Sequence, residues 1–77
     1  MSDERIEKEM ICEIRIRGHL EERWAAWFEN LVFSYEEADI TILRGPLKDQ
    51  AALHGVLNHI SNLNLQLISV RIIEEKE

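Results

Sequence analysis

The sequence is poor in residues that staple or break a chain: one cysteine, one proline and three glycines in 77 positions. A lone Cys12 cannot close an internal disulfide, which excludes the oxidised, loop-rich secreted scaffolds. No apolar run approaches the ~20 residues that a membrane-spanning helix needs. The acidic, polar start lacks the basic-then-apolar layout of a signal peptide. The chain is therefore expected in the cytoplasm, away from membranes. Positive charge is also short, with nine Lys+Arg against fifteen Asp+Glu and a net charge of −6. A phosphate backbone is repelled by such a surface, so nucleic acid is not an expected partner.

The charge is unevenly spread. Residues 1–9 and residues 74–77 each carry a net −2, the same as the whole stretch between them. This divides the chain into an acidic N-terminal extension (1–9), a single domain (10–73) and a charged C-terminal tail (74–77). A domain of this size buries roughly 60–65% of the surface its unfolded chain exposes, enough for one two-layer core.

Hydrophobic periodicity supplies the elements. Met10, Cys12, Ile14 and Ile16 alternate with Ile11, Glu13, Arg15 and Arg17, the pattern of a strand buried on one face, and Gly18 ends it. From Leu20 the spacing changes to i, i+4, i+7, i+8 and i+11 through Trp24, Trp27, Phe28 and Leu31, which predicts an amphipathic α-helix stopped near Asn30. Leu31–Tyr35 and Ile40–Leu43 read as strands joined by the hairpin-length stretch Glu36–Asp39. Gly45-Pro46 reads as the stop of the third strand. Asp49 is a natural N-cap for a helix with Leu53, Val56, Leu57 and Ile60 on one face, broken at Asn62 and Asn64. Leu65–Ile73 reads as a fourth strand. The order predicts an α+β, two-layer, ferredoxin-like βαββαβ sandwich: a four-stranded antiparallel sheet with two helices on one face. Its first and third strands are expected side by side in the middle, running parallel.

Five segments carry a resemblance: Gly18-His19-Leu20, Trp24-Ala25-Ala26-Trp27-Phe28, Gly45-Pro46-Leu47, the run from Asp49 to Leu57 (DQAALHGVL), and Leu67-Ile68-Ser69-Val70. Together, over roughly residues 12–71, they resemble a widespread family of short uncharacterised prokaryotic proteins with GHL…WxxWF and GPxxDQAALHGxL motifs. The resemblance implies no activity, ligand or catalytic residue.

If the two central strands run parallel, the turns after them share one edge of the sheet, and two helix N-termini converge there with unpaired N–H groups. Arg17, His19, Arg44, Lys48, Asp49 and Gln50 are the polar residues at that expected edge, a candidate site for a small anion or carboxylate. The plainer expectation is that Asp49 caps its own helix and His19 satisfies a nearby carbonyl. His54 and His59, five apart on a helix, point about 140° from each other and cannot share a metal. Gly55 inside a helix costs ~1 kcal/mol against Ala and implies a close neighbour, helix 1 or a partner chain. Trp24 and Trp27 are expected in or at the edge of the core, and Cys12 as a small buried hydrophobe.

The helix-free sheet face is expected to show Ile11, Glu13, Arg15, Arg17, Thr41, Leu43, Ser69 and Arg71, a mixture suited to a homodimer or to another protein partner. An interaction or assembly module is the favoured function, with anion or metabolite sensing at the shared edge as the alternative. An enzyme is not expected. The topology can support acyl-phosphate hydrolysis with an Arg in the first turn and an Asn on the third strand, but His19 stands in the turn and Ile40–Leu43 holds no Asn. No cofactor or metal is implied.

Overall fold

Alternation along the first strand places its apolar half inward as the pattern requires: in β1 (Glu9–Arg17), Met10, Cys12, Ile14 and Ile16 are buried. A computed structural model describes the backbone of residues 9–76 and the side chains of residues 10–73, so the expected acidic extension, apart from the backbone of Glu9, lies outside the described residues. A 3-10 helix (Glu22–Phe28) leads to β2 (Val32–Glu36), a three-residue turn and β3 (Ile40–Leu47). Then come α1 (Gln50–Asn62) and β4 (Gln66–Lys76). The sheet order is β2-β3-β1-β4, with every neighbouring pair antiparallel. The 3-10 helix and α1 cover one face: Leu20, Phe28, Leu31, Val56 and Ile60 join Cys12, Ile14, Ile16, Leu43 and Leu47 in a single core cluster. Each such side chain, fully buried, is worth roughly 1.5–3 kcal/mol.

The architecture is thus α+β with a four-stranded antiparallel sheet and two helices, departing from a strict βαββαβ order at the first helix. That segment is short and rich in tryptophan and phenylalanine, which are mediocre α-helix formers, and Glu29 and Asn30 both take left-handed backbone (φ 57° and 58°) and end it. The tighter helix changes which residues share a face. At three residues per turn Trp24 and Trp27 eclipse each other, while Phe28 lies about 120° away. Phe28 is fully buried, so the Trp pair rotates outward: Trp24 is half-buried and packs against the core cluster, at the core edge as expected, whereas Trp27 is 59% exposed, contrary to the place expected for it.

β1 and β3 do lie side by side in the middle, but they run antiparallel. The hairpin sets β3 against β2, and the 3-10 crossover returns β2 parallel to β1, so β3 must oppose β1. The third strand also runs through Gly45-Pro46, opposite Cys12 and Ile11, instead of stopping there. The β2 ladder ends at Arg44, so beyond it one flank of β3 is unpaired and a residue without an N–H is tolerated. Gly45 accepts Leu31 close above it, where a Cβ would meet Leu31 Cδ2 at 3.1 Å. At the C-terminus, the stretch read as a charged tail continues β4 as far as Lys76.

Candidate functional site

Antiparallel pairing separates the six candidate residues. Arg17 lies opposite Ile40, whereas Leu47 lies opposite Met10, so the turn after β1 and the turn after β3 sit at opposite ends of the sheet, about 24 Å apart at ~3.4 Å per residue. Arg17 and His19 belong to one end; Lys48, Asp49 and Gln50 belong to the other. Arg44 is an exposed mid-strand residue of β3, opposite Glu13. The expected shared edge is therefore not formed.

At the first end, fully buried Thr41 organises the turn. Its hydroxyl donates to the Gly18 carbonyl at 2.6 Å and accepts from the Leu20 N–H at 3.2 Å. The Gly18 N–H donates to the Asp39 carbonyl at 2.6 Å. Gly18 has φ +124°, a conformation side chains rarely adopt, and a Cβ there would meet Leu65 Cδ2 at 3.1 Å. His19 is exposed and stacks on Tyr35, with centroids 4.6 Å apart and planes 19° from parallel. The Tyr35 hydroxyl donates to the Leu20 carbonyl at 2.7 Å, and its pKa is raised above the ordinary 10.0 by burial, then by the negative charges of Glu22 and Glu21.

The other end is simpler. Asp49 caps α1, its Oδ1 accepting from the Ala52 N–H at 2.9 Å. Asp49 thus caps its own helix, as the plainer expectation had it. Lys48, Asp49 and Gln50 are all exposed.

The helix-free face carries Glu13, Arg15, Ser69 and Arg71 as expected, but β3 contributes Ile40, Ile42, Arg44 and Pro46, not Thr41 and Leu43. Thr41 and Leu43 lie in register with Ile16 and Ile14 and are buried on the helix side. Glu13, with only 12% of its side chain exposed, meets Arg71 at 3.4 Å and Arg15 at 3.8 Å, and Arg15 continues to Glu36 at 2.8 Å. Ion pairs thereby link β4, β1 and β2 across the face.

Two surfaces expose large apolar side chains. One lies beside the Trp pair, which meets edge-on at 5.7 Å; Trp27 also meets His59 at 5.5 Å, and Arg23, Trp24 and Trp27 line a shallow hollow of about 240 Å³. The other is β4, an edge strand on which Leu67, Ile68, Ile72 and Ile73 are 44%, 41%, 45% and 38% exposed. Reading this strand only as apolar missed its exposure. The signal was present: Leu67, Ile68, Val70, Ile72 and Ile73 occupy both phases of the alternation, more apolar surface than one helix layer covers. Gly55 has nothing within 4 Å of where a Cβ would stand, so the expected close neighbour is absent among the described residues. His54 is exposed and His59 half-buried. Cys12 is fully buried, and burial raises its pKa. Among the described residues no three His, Cys, Asp or Glu side chains converge as metal ligands, and no helix is long and apolar enough to cross a membrane.

A family model described as "Domain of unknown function (DUF8691)" matches residues 11–71, from β1 into β4. No curated protein and no solved structure matches the chain.

Proposed function

The chain belongs to this family of unknown function, and from its geometry we propose that it is a protein-interaction or assembly module, not an enzyme. One observation carries the reading: the eleven-residue edge strand β4 exposes four large aliphatic side chains, Leu67 and Ile68 on one side of Ser69–Arg71 and Ile72 and Ile73 on the other. An edge strand presents unpaired N–H and C=O groups, and proteins that must stay apart protect such edges with short strands, charge or proline. The opposite edge fits that description, since β2 has five residues and ends in Glu36. The Leu67–Ile73 stretch of β4 has apolar residues beside Ser69 and Arg71, the composition of a docking strand that supplies backbone hydrogen bonds and apolar contacts together. Anion sensing draws no support from the placement of the six polar residues, because they do not share an edge.

The test compares wild type with the double substitution Ile68→Lys and Ile72→Lys, which places charge on the edge without touching the buried core. Both proteins should show the same circular dichroism, and at concentrations too dilute for self-association they should melt together. A protein held stoichiometrically by wild type in the source cell should be lost by the double variant. Equal retention by both would remove β4 from the interaction and the reading with it.

A further inference from the structure

Resting on the interaction-module reading, we infer that the partner at β4 is a second copy of this chain, paired antiparallel about a two-fold axis at Val70 to make one eight-stranded sheet. A two-fold axis through an antiparallel pair must set some residue opposite itself, so few registers exist, and they differ sharply in chemistry. With Val70 opposite Val70 of the second copy, Ile68 faces Ile72, Leu67 faces Ile73 and Ser69 faces Arg71. All four exposed aliphatic residues of β4 then meet an aliphatic partner. Moving the axis to Arg71 sets Arg71 against Arg71 and puts Ile68 and Leu67 opposite Glu74 and Glu75. Moving it to Ser69 sets Leu67 against Arg71 and Ile72 against Gln66. Like charges or charge–apolar pairs directly across a ladder are destabilising, so the Val70 register is selected.

The strand's own geometry agrees. Its pairing with β1 shifts register at two places, leaving Ile68 and Ile73 as extra residues, while Ser69–Ile72 between them stays in regular register with Arg15–Cys12. The axis falls within that regular stretch. Faces also match: Val70 and Ile72 lie opposite Ile14 and Cys12 on the helix side, and Ser69 and Arg71 lie opposite Arg15 and Glu13 on the other. Pairing about Val70 keeps each face continuous across both copies.

Sedimentation equilibrium of the full chain should show a concentration-dependent dimer. Ile68→Lys with Ile72→Lys should weaken it on the order of a hundredfold, because each change enters a two-fold interface twice. Val70→Cys, conservative in size, should form a rapid intermolecular disulfide under mild oxidation, whereas Ser69→Cys and Arg71→Cys should not; Cys12 is buried and does not compete. A dimer that cross-links equally well through Ser69→Cys or Arg71→Cys overturns the register. A wild type that stays monomeric into the millimolar range overturns self-pairing, while a distinct protein lost on the Lys substitutions would still uphold the module reading. If neither a dimer nor an edge-dependent partner is found, both fail.

Discussion

The turn after β1 and the turn after β3 both lead a strand into a helix, yet they are held in opposite ways. The first is tied from outside by long-range bonds: Thr41 from β3 binds both Gly18 and Leu20, Asp39 binds Gly18, and Tyr35 from β2 binds Leu20. The second is held locally by one cap, Asp49 on Ala52, three residues away. The short 3-10 helix cannot organise its own entry, since a segment of this length nucleates poorly, and the sheet does it instead. The thirteen-residue α1 is long enough that a single cap suffices. Anchoring from a distance makes the first turn a product of the assembled fold; the second belongs to its own sequence.

The largest separation between the two turns should come from Thr41→Val. It preserves shape but leaves a part-buried Gly18 carbonyl and a buried Leu20 N–H without their partner, a loss of ~2–4 kcal/mol read by urea denaturation. A loss under 1 kcal/mol (the low end for one unsatisfied group) would show that the turn does not depend on β3. Asp49→Ala should cost ~1 kcal/mol, with Asp49→Asn recovering most of it, because either side chain can supply the capping oxygen. If Asp49→Asn is as damaging as Asp49→Ala, the carboxylate charge matters more than the hydrogen bond. Gly55→Ala should raise stability by ~0.5–1 kcal/mol, since open space surrounds the missing Cβ and the helix gains propensity. A destabilised Gly55→Ala would reveal a neighbour that appears only in an assembly.

The smallest effect concerns Tyr35, the only tyrosine. Its folded pKa lies above the ordinary 10.0, so the folded state holds the phenolic proton more tightly than the unfolded chain does. That contribution is complete below the unfolded pKa and is lost as pH rises through the folded one. Tyr35→Phe should lack this alkaline decline while losing the bond to Leu20 at every pH. Thermal melts of both proteins at rising alkaline pH check it, and parallel curves would contradict the assignment.

The two turns also show what could be read from residues alone. The Asp49 cap was legible because its signal and its partner are neighbours in sequence. So were β1, the β2–β3 hairpin and the inward face of α1, all set by local periodicity. The Thr41 anchor was not legible: a threonine between two isoleucines looks like the solvated phase of a strand, and its partners lie 21 and 23 residues away. The direction of β3 was available from counting chain reversals, but two helix starts on neighbouring strands suggested a common edge that antiparallel pairing rules out. The exposure of Trp27 follows from a change of helical period, which spacing alone cannot distinguish over seven residues.

Cys12 is the chain's single thiol and sits on β1, with Gly45 of β3 on one side and Ile72 of β4 on the other. A thiol reagent reaches it only when one of those strands lifts away, and the thiolate needed for reaction is disfavoured until then. Its labelling rate is consequently a built-in clock for the opening of the sheet. Anything that clamps the β4 edge should slow that clock, whereas a ligand at the far side of β2 should leave it running at its own pace.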